Sequence, residues 1–402
     1  SNSKPPQDRS FYHVFGHMLA VVGLHPTNWW WYQYPHIFKY FFQFQALVLP
    51  FVSVASFSSQ FVFLYLNASR LDKNTLSIVY SILPIGFLAT MKAQCAQTAS
   101  YKKLLADFME KIHLYNYYHT NRTEMVKTVI NLTLIMAFIL FSVWFVWMLT
   151  PVLYNVRNIE AILNGTDIFH TCYYMWMPFD YLNNFNYYVI QNLVNMYITL
   201  LATVIIFGLD MINYIIIFNL IGHIQILKDS IRTIFVGEMS QDDIKSKFID
   251  IVHHHCFIMK TFEDVKSVFG LSIAGNYVQN LLEDGLLMYQ FMLGVKSVVT
   301  YGLTLFYYMG GLVIMSLVLE EMKRETEDLS EILYCNVPWE QMNLSNQKTF
   351  AIILKQMTPV LEFVALGCFR AGIVPAISVS KPGRQMKSIY LLSCKFTFTL
   401  YL

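Results

Sequence analysis

Long apolar stretches separated by short polar or charged segments organise the chain, and seven of them approach the length of a membrane crossing. A helix needs about 20 predominantly apolar residues to span roughly 30 Å of hydrocarbon, with its backbone polar groups satisfied internally. Residues 41–65, 128–150 and 188–221 carry the clearest signal, and 74–94, 268–293 and 298–319 follow, the last two joined by a tight turn around Gly294. The seventh, 385–402, contains Cys394 and Lys395 and is weaker by hydropathy. The stretch 188–221 exceeds any bilayer, so its helix is expected to project beyond the membrane on one side. Residues 323–375 begin polar and continue as an amphipathic helical pattern over 346–369. The pattern predicts an all-α, seven-transmembrane protein with one helical anchor region between spans six and seven. It has no internal repeat, low-complexity tract or flexible linker, so residues 1–402 read as a single domain: 1–322 hold six spans and a pocket, and 323–402 hold the anchor helices and the seventh span.

Composition supports this solvent assignment. Apolar residues make up 55% of the chain and charged residues 13%, about half the share of an ordinary soluble domain. Lys and Arg fix the orientation, because they are retained in cytoplasmic loops. With the N-terminus inside, the cytoplasmic segments hold 23 of them, Lys92 among these, and the outer loops only Arg70, Lys73, Arg157 and Lys296. The N-terminus is therefore expected in the cytoplasm and the C-terminus outside, opposite to a G-protein-coupled receptor. The polar start, Ser1–Ser10, gives no cleavable signal peptide, so the first span is expected to act as its own insertion signal.

A net charge of +2 provides no broad basic field, which argues against nucleic acid as a partner. Six scattered cysteines form neither a disulfide framework nor a CxxC pair. His253, His254, His255 and Cys256 invite a metal reading, but consecutive helical residues point to different sides, and a solvated helix start is the expectation. No catalytic motif lies in a plausible setting, and neither metal nor cofactor is expected. Sequons at Asn67 and Asn164 fall in outer loops, where glycosylation is expected; those at Asn121, Asn131 and Asn343 fall inside or within the membrane. A transporter would show two halves with matching broken helices, which are absent.

The C-terminal third carries a more specific pattern: Glu325, Leu329, Ser330, Leu333, Tyr334, Trp339, Gly372 and Pro375, then Phe398, Thr399 and Leu400. Gly23, Leu24 and Pro26, and the histidine run before span five, add to it. Order and spacing resemble the insect odorant receptors, with departures at Cys394–Phe396 and Lys381–Arg384. The threonine-tyrosine ending of the related gustatory receptors is absent. The resemblance implies a tetrameric odorant-gated cation channel in the plasma membrane of an olfactory sensory neuron. Its partners would be small hydrophobic odorants, lipid, and either the olfactory co-receptor in a heterotetramer or further copies of the chain in a homotetramer. It places subunit contacts in the anchor region, at Tyr334 and Trp339, and lines the central pore with the seventh helix.

Leu391, Lys395, Phe398 and Leu402 share one face of that helix, and Phe398 and Leu402 would form apolar rings able to stop ions by dewetting. Lys395 at membrane depth requires pore water, a partner, for which Glu283 and Asp284 are candidates, or a course that snorkels outward near the chain end; a mixed tetramer would reduce its number in a cation pore. The ligand pocket is expected in the outer half of the bundle. Its candidates are Ile78, Tyr80 and Leu83 from span two, Phe141, Trp144, Phe145 and Met148 from span three, Asn192 and Met196 from span four, and Tyr301, Leu305 and Tyr308 from span six. Burying apolar area contributes about 25 cal/mol per Å², so a small volatile reaches several kcal/mol without polar contacts.

Overall fold

The computed structural model describes residues 36–69, 71, 73–112, 114, 122–235, 240–292, 298–365 and 369–372. Its long helices are α1 (His36–Asn67), α2 (Lys73–Cys95), α4 (Arg122–Arg157), α6 (Phe185–Ile234), α7 (Gln241–Met292) and α8 (Val298–Glu327). The shorter ones are α3 (Ala99–Asp107), α5 (Ile159–Leu163), α9 (Leu329–Asn336) and α10 (Leu344–Met357). The architecture is all-α apart from a two-rung antiparallel ladder, β1 (Val364–Ala365) with β2 (Phe369–Arg370). Helices α1, α2, α4 and α6 each contain a segment long and apolar enough to cross a membrane. The pore candidates Leu391, Lys395, Phe398 and Leu402 lie outside the described residues.

Local chemistry explains where several helices start. Asn184 Oδ1 accepts the backbone N–H groups of Asn186 and Tyr187 and caps α6; Thr98 and Asn343 cap α3 and α10 in the same way. Proline within α1 shows how a membrane helix accommodates a missing donor. Pro50 cannot bond to the carbonyl of Ala46, and the side-chain amide of Gln97 donates to that carbonyl instead, at 3.4 Å. Gln94 donates to Pro50 O at 3.1 Å, so the two glutamines tie the end of α2 and the residues just after it to α1.

At 50 residues, α6 is about 75 Å long, more than twice the hydrocarbon thickness. It runs through the middle of the molecule and packs against α2, α4, α7, α8 and α9. The 52-residue α7 accompanies it and meets α3 and α10 beyond the bundle, so the projecting parts of both helices form a stalk. Large apolar side chains of α1, such as Phe44, Phe51 and Tyr65, point outward, as they would toward lipid.

Three features differ from the sequence reading. The amphipathic pattern over 346–369 forms a helix only to Met357: Thr358 still has helical angles, but Pro359 has no N–H to continue the ladder, and an extended stretch and the β1–β2 ladder follow. The histidine run lies inside α7 rather than at a helix start, and His254 is partly buried against His223 of α6. Lys92 is not a loop charge: it is fully buried near the end of α2 and bonded to Asp210 of α6 at 2.5 Å.

The residues of the C-terminal pattern acquire physical roles here. Lys228 of α6 bonds to Glu325 at 2.7 Å and Asp328 at 2.6 Å, and Gln225 adds a hydrogen bond to Glu325 at 3.0 Å. Burial alone would raise the Glu325 pKa; the bonds from Lys228 and Gln225 and the Lys228 charge bring it below the usual range. Leu329 and Leu333 enter the core beside this clasp, whereas Tyr334 faces outward and stacks on Trp339 with ring centres 5.7 Å apart. The N–H of Gly372 donates to the hydroxyl of Tyr277 in α7 at 3.1 Å, and that hydroxyl also lies 2.6 Å from Ser316 Oγ of α8. Arg370–Gly372 is thereby tied to the bundle at the point where the chain leads toward the seventh apolar stretch.

Candidate functional site

The bundle holds a partly open cavity of about 140 Å³. Helix α1 contributes Leu49, Val52, Ser53 and Ser56; α2 contributes Ile82, Ile85, Gly86, Ala89 and Thr90. Opposite them stand Leu140, Val143, Trp144, Trp147 and Met148 of α4, and residues of α6 from Ile198 to Ile206. Cys172 and Tyr173, from the segment joining α5 to α6, and Tyr307 of α8 complete the wall. The size is close to that of an engineered apolar cavity of about 150 Å³ that stays dry and takes benzene.

Small residues make this space possible. Ser53 and Ser56 lie three apart on one face of α1, facing α2 at Gly86. A Cβ on Gly86 would come 2.9 Å from Gln60 Oε1 and 3.3 Å from the Phe57 ring, so any larger residue requires the Gln60 side chain and the Phe57 ring to give way. The hydroxyls are occupied locally: Thr90 Oγ1 sits 2.8 Å from Gly86 O and 3.0 Å from Ser53 O. Trp144 Nε1 donates to Thr199 Oγ1 at 3.0 Å, and Thr199 Oγ1 donates to Asn195 O at 2.7 Å, which fixes the indole in the wall. Burial pushes the Cys172 thiol up to about 12, so this group is a neutral part of the wall rather than a thiolate nucleophile. No Asp, Glu, Lys, Arg or His is among the lining residues. A neutral, mostly apolar small molecule is the guest that such a wall accommodates without an uncompensated charge.

Of the sequence candidates, Trp144 and Met148 line this cavity. Ile78, Tyr80 and Leu83 pack around a separate cluster built on Phe63, Tyr174 and Tyr181. Phe141 packs on the main core, while Phe145 and Met196 face outward from the bundle. Asn192 has a buried Oδ1 with no partner among the described residues and does not line the cavity. Tyr301, Leu305 and Tyr308 belong to α8, but their side chains lie outside the described residues. The α1 wall and the Cys172–Tyr173 strap went unanticipated. The Ser53, Ser56 and Ser59 spacing was the available signal for α1, since small residues on one helix face mark close approach.

Asn67 lies at the end of α1, where its Nδ2 donates to Phe63 O at 3.0 Å. Asn164 is exposed at the end of α5, next to Gly165 at φ +73°, a conformation that favours glycine. Asn343 is engaged as the α10 cap. The described residues contain no cluster of three or more metal-ligating side chains.

Comparison with known proteins adds two findings. A family model described as 7tm odorant receptor matches residues 74–380. The fold is similar to the insect olfactory receptor OR5 from Machilis hrabei, with TM-score 0.71 and 14% identity, covering 96% of this chain and 99% of that one. The same receptor in complex with eugenol gives TM-score 0.72 and 14% identity, covering 96% and 100% of the two chains. No curated protein matches the sequence.

Proposed function

The chain belongs to the 7tm odorant receptor family, and from that premise we propose that it is a subunit of an odorant-gated cation channel whose ligand occupies the cavity between α1, α2, α4 and α6. The observation that carries this reading is a partly open, uncharged cavity among helices long and apolar enough to cross a membrane. A neutral volatile reaches such a site by partitioning into lipid, and burial of its apolar surface supplies the affinity. Eugenol bound to a receptor of the same fold supports a small organic guest.

In this reading the N-terminus is cytoplasmic and the C-terminus extracellular, supported by the asymmetry of Lys and Arg among the loops. The stalk is then cytoplasmic, and the exposed Tyr334–Trp339 pair is an assembly surface for the co-receptor or for further copies of the chain. Residues Leu391, Lys395, Phe398 and Leu402 face the pore, with Phe398 and Leu402 as the apolar gate. The test is current recording from cells expressing the chain with and without the co-receptor during exposure to a panel of volatiles. Odorant-evoked, cation-carried current supports the proposal; silence to every volatile under both conditions refutes it.

A further inference from the structure

A second cavity, about 80 Å³, lies between α6, α7 and α8, and its lining shares Ile206 and Tyr307 with the first. These two side chains are the partition between the chambers. The first chamber has an uncharged wall, but the second is lined by Asp210, Asn276 and Asn280. Asn280 Nδ2 donates to Asn276 O at 2.7 Å, which fixes the amide and leaves Oδ1 as an acceptor. That Oδ1 is buried with no hydrogen-bond partner among the described residues, and Asn280 is only 3% exposed. Asp210 Oδ1 accepts from Lys92 and from Asn276 Nδ2 at 2.9 Å, and the Asp210 side chain keeps 17% of its surface accessible.

We propose that the second chamber is a polar annex of the odorant site, in which Asn280 Oδ1 accepts the hydroxyl proton of a neutral alcohol whose hydrocarbon body occupies the first chamber. The inference rests on the odorant-gated reading above and deepens it by naming a ligand class. Lys92 already balances Asp210, so the annex is electrically neutral overall. Asp210 is the charged group that lines the annex, so an anionic guest is repelled, and a cationic one must shed its hydration in the uncharged first chamber; a neutral O–H satisfies the buried acceptor without introducing charge. Ile206 and Tyr307 stand between the chambers, so a guest that reaches both must turn these side chains aside, and replacing Ile206 by a smaller residue is expected to ease its entry.

The test uses the full chain in cells, with a primary-alcohol series, the methyl ethers of the same alcohols and the matching alkanes as probes. Asn280→Leu removes the acceptor and fills the annex. The half-maximal concentration for the alcohols is expected to rise roughly tenfold, while that for the ethers stays within roughly twofold. Asn280→Ala, which deletes the amide without adding bulk, gives the same selective loss and covers a folding failure of the leucine variant. Equal shifts for alcohols and ethers, or no shift for either, overturn the annex and leave the odorant reading standing. A parent chain that answers ethers and alkanes but not alcohols does the same. Absence of current to all three series removes both.

Discussion

Replacing Lys92 by methionine isolates the buried ion pair between α2 and α6. Lys92 Nζ lies 2.5 Å from Asp210 Oδ1 with no solvent exposure of the lysine. At that distance the attraction is about 7 kcal/mol for an effective dielectric of about 20, offset by several kcal/mol of desolvation for each ion. The net value of the intact pair is therefore small, but a single substitution removes the attraction and leaves the Asp210 carboxyl in the bundle with Asn276 as its one donor among the described residues. Lys92→Met is expected to destabilise by about 3 kcal/mol, the lower end for a broken buried pair, because the membrane-embedded unfolded chain also finds partners for a stranded charge. The double variant Lys92→Met/Asp210→Leu removes both charges and should recover most of that loss. Thermal unfolding of the detergent-solubilised protein, with surface expression measured in parallel, reads both variants. If Lys92→Met unfolds at the parental temperature, or if the double variant is no more stable than the single one, the pair does not have the energetics assigned to it.

Trp144→Ala removes an indole from the cavity wall and its hydrogen bond to Thr199; sensitivity to small volatiles should fall roughly tenfold while bulkier ones lose less, measured as concentration–response curves. Tyr334→Ala with Trp339→Ala should reduce the tetrameric fraction in size-exclusion chromatography without lowering monomer stability by more than about 1 kcal/mol, since Tyr334 is half exposed. Stability should also fall on acidification. His223 Nε2 donates to Ile112 O at 2.8 Å, which leaves its Nδ1 to accept from His254 Nε2 at 3.2 Å, and burial, with the neighbouring His255, lowers the His254 pKa. A histidine whose folded pKa is depressed contributes fully above about pH 6.5 and loses that contribution as pH falls toward the folded value. Melting curves across this range should show the slope, and His254→Phe should flatten it. Asn164→Gln should abolish a glycosidase-sensitive mobility shift if residues 158–184 face the outside.

Four of the seven expected spans, 41–65, 74–94, 128–150 and 188–221, were legible because membrane solvation imposes a length and a composition that hydropathy reads directly. The expected 188–221 lies inside α6, and its overshoot of the bilayer correctly indicated a projecting helix. Helix faces were harder to read. The outward aromatics of α1 mark it as lipid-facing, and its Ser53–Ser56 edge gains meaning only when Gly86 is seen opposite. Choosing Phe145 and Met196 by residue type could not separate lipid-facing from inward positions, since both environments favour large apolar side chains. Asp210, an acid inside an apolar run, passed unread in the sequence, as did its partner. Lys92 lies 118 residues away and looked like an ordinary loop charge at the end of a span.

The unbroken course of α6 has a mechanical consequence. One rigid rod borders both chambers near its middle and holds the Glu325–Asp328 clasp near its far end. From Ile206 to Lys228 the rod is about 33 Å long, so a tilt of about 4° at the chambers displaces the clasp by about 2 Å. A guest too small to remodel the bundle can then reposition the stalk through leverage alone.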